Sequence, residues 1–153
     1  MPSAPALYDQ NATLVRGGRA SQPTPYLLKA EDPGLPLELI ELIGEAEALA
    51  LLESDWDGEF SPRIDAGAIR RASWFLENLQ VPWLPMVGAN RLGGVRVEWD
   101  AGHAYLIIDF EPAGEAQVMF RGVGHEVMVW RNEEIPGELG FCYAEVNRAR
   151  RSG

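Results

Sequence analysis

The chain has 153 residues and is short of several things that would each define a class of protein. It has one cysteine, Cys142, so no disulfide can form within it and no Cys pair can anchor a zinc site. It has two histidines, His103 and His125, with no His-x-x-x-His spacing. Lysine is nearly missing: of 13 basic residues only Lys29 is not an arginine. No apolar run nears the roughly 18 residues that a membrane-spanning helix needs. Met1 to Gln10 carries no basic segment followed by an apolar one, so no secretory signal is expected. A reducing, cytoplasmic location is the expectation. No serine stands in Gly-x-Ser-x-Gly, and Gly17-Gly18 and Gly93-Gly94 lack the spacing of a phosphate loop.

Acid is what the chain has in plenty. Its 23 Asp and Glu against 13 Lys and Arg give a formal net charge of -10. Nucleic-acid affinity comes mainly from cations that displace condensed counterions, so no direct nucleic-acid binding is expected. An anionic membrane surface is disfavoured on the same ground. A basic protein would be attracted, although such a charge also serves plain solubility. Hydrophobic residues at 46% and charged residues at 24% fit a globular protein of one domain.

Residues 1–36 read as a Pro-rich flexible arm. They hold Pro2, Pro5, Pro23, Pro25, Pro33 and Pro36, and their charges cancel, so the whole net charge lies beyond them. The apolar cluster Tyr26-Leu27-Leu28 is placed to dock on the domain or a partner. Residues 37–147 read as the folded domain and 148–153, with Arg148, Arg150 and Arg151, as a basic tail.

Within the domain, Leu39, Leu42, Ile43, Ala46, Leu49 and Ala50 recur at helical spacing and predict a helix from about Leu37 to Glu53. Asp57-Gly58 signals a turn. Ile69, Ala72, Phe75, Leu76 and Leu79 predict a second helix over about Asp65–Leu79, capped by Ser61 or Asp65 and stopped by Pro82 and Pro85. From Gly94 the period changes to two. Strands are expected at Val95–Trp99, Ala104–Phe110, Gln117–Arg121 and Glu126–Arg131, joined by short turns. Phe141–Val146 suits either a fifth strand or a short helix. The expectation is an α+β fold: two N-terminal helices packed on one face of a four- to five-stranded antiparallel meander.

Candidate chemistry is sparse. Asp55-Trp56-Asp57-Gly58-Glu59 offers three carboxylates, but a calcium loop counted from Asp55 would need Gly at position 60 and Glu at position 66, where Phe and Ala stand. That stretch reads as a turn with Trp56 packed inward. His103 and His125 fall in hairpin turns, and Cys142, between Phe141 and Tyr143, reads as core. No metal, cofactor or catalytic residue is assigned. Glu38 to Glu59 contains eight acidic residues and no basic one, suited either to a solvated helix face or to a cationic partner. Trp74 falls beside the apolar stripe of its helix, at the core edge or at an interface.

Trp56-Asp57-Gly58, Pro62, Ala68-Ile69, Ala72, Pro82, Pro85 and then Gly94-Val95-Arg96-Val97-Glu98-Trp99 form a pattern over about a third of the chain. It resembles a loose set of small, mostly uncharacterised bacterial proteins with a Trp-Asp-Gly turn and a later Gly-x-x-apolar-Glu-Trp strand. The resemblance implies genes of mobile elements or toxin–antitoxin-like loci, and carries over no catalytic residue.

The functional expectation is a non-enzymatic, acidic protein-binding module, antitoxin-like or inhibitor-like, that neutralises a basic partner such as a toxin. Tyr26, Leu27, Leu28, Glu41, Glu45, Asp55, Glu59 and Trp74 are the expected contact residues. A nucleic-acid mimic that blocks a DNA- or RNA-binding protein is one alternative. An enzyme with a dispersed site, recognisable by a pocket of histidines or carboxylates with perturbed pKa values, is the other. A homodimer through exposed strand edges also fits.

Overall fold

A computed structural model describes residues 34–132 and 138–153. Tyr26, Leu27, Leu28 and nearly all of the arm read over 1–36 lie outside the described residues. The chain enters through Pro36, whose carbonyl accepts the N–H groups of Leu39 and Ile40 at 3.0 Å. Helix α1 then runs over Leu37–Ala48 and tightens into a 3-10 turn at Leu49–Leu51. Its buried stripe is Leu39, Leu42, Ile43 and Ala46. Ala50, expected on the stripe, is exposed because the tighter winding rotates it out. Helix α2, Ala66–Glu77, starts where the side chain of Asp65 accepts the N–H of Ala68 at 2.9 Å, an N-cap that satisfies one orphan donor.

Five strands follow in an antiparallel meander, ordered as in the chain: β1 Met86–Ala89, β2 Val95–Asp100, β3 Tyr105–Phe110, β4 Ala116–Arg121 and β5 Met128–Asn132. The register places Val87, Val97, Ile108, Val118 and Trp130 in one row across the sheet. That row and its neighbours Val95, Phe110, Trp99, Leu106 and Phe120 pack under the helices in a single core.

The fold is α+β, with two departures from the sequence reading. Of the two alternatives for Phe141–Val146 the helix holds and the strand does not, and the helix is longer than read: the segment lies inside a third helix, α3, Leu139–Ser152. The helical layer is therefore not made by two N-terminal helices alone. Leu139, Cys142, Tyr143, Val146 and Ala149 line α3 at helical spacing and join the same core, and the arginines read as a tail form its last turns. The fifth strand is β1, ahead of the predicted strands, in Met86-Val87-Gly88-Ala89.

The centre of the core is Trp99, fully buried. Its indole N–H donates to the carbonyl of Trp83 at 2.7 Å, and its ring meets Tyr143 edge-on at 5.6 Å between centroids. The Tyr143 hydroxyl accepts the N–H of Trp83, and the Arg150 guanidinium lies 4.6 Å over the Trp83 ring. The connector after α2, strand β2 and helix α3 are thus joined through three rings.

Two adjacent glycines close the β1–β2 turn for steric reasons. A Cβ on Gly94 would lie 2.3 Å from the Phe110 carbonyl oxygen across the ladder. Gly93 has φ +89° and lies against Arg63 and Pro62. Gly94→Ala is therefore expected to destabilise the protein by about 3 kcal/mol, the scale of forced overpacking, in a denaturant titration. Gly44, on the exposed side of α1 with open space around it, is the control: Gly44→Ala is expected to stabilise by about 0.5–1 kcal/mol.

Candidate functional site

The other face of the sheet carries the intervening residues. Register gives one polar row, Gly88, Arg96, Asp109, Gln117 and Arg131, beside a row that is apolar except for Glu98: Met86, Glu98, Ile107, Met119 and Val129. No described helix packs on this face. Asp109 is buried at the middle of it, and Arg96 answers it from β2 with two bonds, Nε to Oδ1 at 2.9 Å and Nη2 to Oδ2 at 2.8 Å. The bidentate geometry pairs a buried carboxylate with a partner that cannot lose its proton.

Two loops rise over one end of this polar row. The first is Asp55–Ser61, closed by its own hydrogen bonds. Asp57 accepts the Ser61 hydroxyl at 2.7 Å and the Glu59 N–H at 2.9 Å, and these bonds hold its carboxyl below the usual carboxylate range. Asp55 accepts the N–H of Phe60 at 2.7 Å, and both residues take left-handed backbone, φ 64° and 66°. That conformation is strained for a phenylalanine, and here it leaves the ring 89% exposed. The second loop is the turn Asn90–Gly94, with Leu92 exposed. Arg91 ties the two together by pairing with both Asp57 and Glu59. Trp56 is fixed against Pro62, to whose carbonyl its indole N–H donates at 3.1 Å.

Between the loops and the sheet lies an open cleft of about 550 Å³, lined by Trp56, Asn90, Leu92, the Arg96–Asp109 pair, Gln117, Arg131 and Glu111. Glu111 follows β3 and is 8% exposed. Its backbone is well held: its N–H donates to Glu115 and its carbonyl accepts from Arg71. Its carboxylate has no hydrogen bond or ion pair among the described residues. Burial pushes it above the usual carboxylate range, and the negative charges of Asp109 and Glu115 add to the shift. Arg131 and Arg96 act the other way without cancelling it.

The expected contact residues fall in separate places. Glu41 and Glu45 lie on the exposed face of α1, and Asp55 and Glu59 in the loop, where Glu59 is tied to Arg91. Trp74, 39% exposed, lines a shallow groove between α1 and α2 with Glu47, Ala50 and Ile69. His103 and His125 are exposed and outside the cleft. Among the described residues no three of His, Cys, Asp and Glu are grouped to hold a metal ion. Cys142 is buried, and burial, with Glu138 and Glu145 nearby, pushes its thiol up to about 12. The cleft itself went unread in the sequence, and one signal pointed to it: Asp109 interrupts an otherwise apolar strand. No family model, curated protein or solved structure matches the chain.

Two outcomes follow. A thiol reagent is expected to leave Cys142 unmodified in the native protein at neutral pH and to label it on unfolding, because little thiolate forms and little surface is offered. Glu111→Gln is expected to raise the melting temperature at neutral pH. A carboxyl whose pKa is raised by folding binds its proton more tightly in the native state. Stability therefore falls as pH rises from the ordinary carboxylate range through the raised value. The advantage of the variant should be largest at neutral pH and close on acidification, as followed by thermal melts across pH.

Proposed function

We propose that the chain is a non-enzymatic acidic binding module, antitoxin-like or inhibitor-like, that neutralises a basic protein. The observation that carries this reading is the outward face of α1. Glu38, Glu41 and Glu45 are exposed there, with Glu47 exposed on the flank toward α2, and none forms an ion pair among the described residues. Leu37 and Ile40, and Leu51 just beyond the helix, are exposed beside them. Glu38, Glu41 and Glu45 follow one another at spacings of three and four, where like charges repel. Glu45 and Glu47 lie in the last turn, against the negative end of the helix dipole, and no basic residue is there. The arrangement costs the isolated protein stability. A cationic surface with an apolar centre would relieve the repulsion and cover the apolar side chains. A cytoplasmic setting suits such a role; among the described residues no helix is long and apolar enough to cross a membrane.

A dispersed-site enzyme is the second reading, favoured by the cleft, where Asp57 and Glu111 have pKa values pushed in opposite directions. Binding is preferred because Asp57 is engaged by Ser61 and Arg91, and Asp109 by Arg96. Only Glu111 is left free to move a proton.

The test is affinity capture with the full chain and with the double variant Glu41→Lys/Glu45→Lys. The variant is expected to be more stable alone, by about 0.5 kcal/mol from relieved repulsion and dipole contacts. It is also expected to lose a basic protein that the wild type retains. Capture that ignores the substitutions, or turnover of a substrate by the purified chain, would overturn the reading. Deleting residues 1–36 tests the part of Tyr26, Leu27 and Leu28 in the same assay.

A further inference from the structure

We infer that the cleft beneath the Trp56 loop receives one guanidinium group, an arginine side chain of the protein partner, with Glu111 as its counter-ion. This rests on the binding-module reading and adds the chemistry of one contact to it. The charges around the cleft are nearly all spoken for. Arg91 is held by Asp57 and Glu59 and Arg96 by Asp109, whereas Arg131 donates to the neutral amide of Gln117 and acts on Glu111 only through its field. Among the carboxylates that line the cleft Glu111 is the exception, more than nine-tenths buried and without a hydrogen-bond partner for its carboxylate among the described residues. Glu115 stands directly across the ladder from it, since the Glu111 N–H donates to the Glu115 carbonyl. The lining itself balances, with Asp57, Asp109 and Glu111 against Arg91, Arg96 and Arg131, so the case for a cation rests on Glu111 having no ion pair of its own and on the Glu115 charge beside it.

The Glu111 side chain is nearly all buried, and its carboxylate has no donor among the described residues; what surface its oxygens have lies in the cleft. What would complete this site is a cation with several donors. Guanidinium fits better than ammonium on three counts. It is the more weakly hydrated ion, so it leaves water more readily. Its planar fork can give a carboxylate two bonds. The Trp56 ring, packed on the core and held by its bond to Pro62, lines the cleft wall, where a flat cation can meet it. The cleft, at about 550 Å³, is large enough for an arginine side chain. Exposed Leu92 on its rim would meet the apolar part of the incoming segment.

The test titrates the full chain by NMR with acetyl-Gly-Arg-Gly-amide, and with the same peptide carrying lysine or neutral citrulline instead of arginine. The arginine peptide is expected to bind and to perturb Glu111 and the Trp56 indole. Citrulline in the peptide, or Glu111→Gln in the protein, should weaken binding at least about tenfold, as for removal of one member of a desolvated charge pair. Lysine should be several-fold weaker. Trp56→Phe, which keeps an aromatic face but drops the bond to Pro62, should give an intermediate loss. No binding of the arginine peptide, or equal binding by Glu111→Gln, would overturn the inference. Equal binding of the lysine peptide would overturn the guanidinium assignment. The peptides are measured on the chain alone, so the result is independent of whether α1 captures a protein. A cleft that fails this test while Glu41→Lys/Glu45→Lys abolishes capture sinks this inference only and leaves the binding-module reading standing.

Discussion

A five-stranded sheet whose described helices all lie on one side must satisfy opposite demands with the same strands. Alternate residues face a packed core, where any polar atom without a partner is expensive. The residues between them face the side that no described helix covers, called the uncovered side below, where polar groups must find one another along cross-strand rows. The first demand is met by Trp99, whose single polar atom is capped by the Trp83 carbonyl. The second is met by Arg96 and Asp109, directly opposite in register and joined by two bonds. The rest of the uncovered face is organised around that pair. It anchors the polar row, fixes the floor of the cleft, and puts a negative charge beside Glu111.

How much of this could be read from the chain depended on how local each signal was. The alternation Val95, Val97, Trp99 against Arg96 and Glu98 marks β2 plainly, and Asp65 before an apolar stripe marks the start of α2. β1 was missed because four residues that follow prolines and contain a glycine show no period to read. α3 was undecided for a different reason. Its stripe runs Leu139, Cys142, Tyr143, Val146, Ala149, and dividing the segment where the arginines begin cuts off the last member and leaves too few residues to show a helical repeat. The cleft was harder still, since Trp56, Asn90, Asp109 and Arg131 come from four separate segments. The Arg96–Asp109 pair was within reach. A turn centred near Gly102 places residue 96 across from residue 109, and a carboxylate inside an apolar strand calls for a cation.

The placement of cost in the structure links the two faces. In the core the Trp99 indole and the Tyr143 hydroxyl are satisfied, and the Ser73 hydroxyl on α2 is a small exception. The larger expense is elsewhere: like charges stacked along α1, a phenylalanine held at positive φ with its ring in solvent, and a carboxylate on a nearly buried side chain whose pKa is pushed up. Each is a local loss that another arrangement of the same fold would avoid. Gln at position 111, Gly or Asn at position 60 and a lysine at position 45 would all suit the isolated protein better. Stability alone does not account for these residues.

All of these features would gain from one kind of neighbour. A basic surface lessens the repulsion on α1, an apolar contact covers Phe60, Leu92 and Ile40, and an arginine supplies the donor that Glu111 lacks. They nevertheless belong to different parts of the molecule, with α1 in the helical layer and the cleft on the uncovered side of the sheet. A single flat partner surface does not meet both faces of a sheet, because each side lies behind the other. A partner that engages both must reach around the edge near the Asp55–Ser61 loop, which follows α1 in the chain and forms the cleft wall. That loop is closed by its own hydrogen bonds and tied to the next turn by Arg91, so it is a rigid corner well placed to carry Phe60 outward at the point where such a partner would bend. If only one side is used, removing the aromatic ring of Phe60 should matter little to capture. If both are used, Phe60→Ser should weaken capture as much as loss of either face while leaving the arginine peptide bound, because a residue at the corner holds the partner without touching Glu111. Measuring the two bindings on that one variant separates the cases.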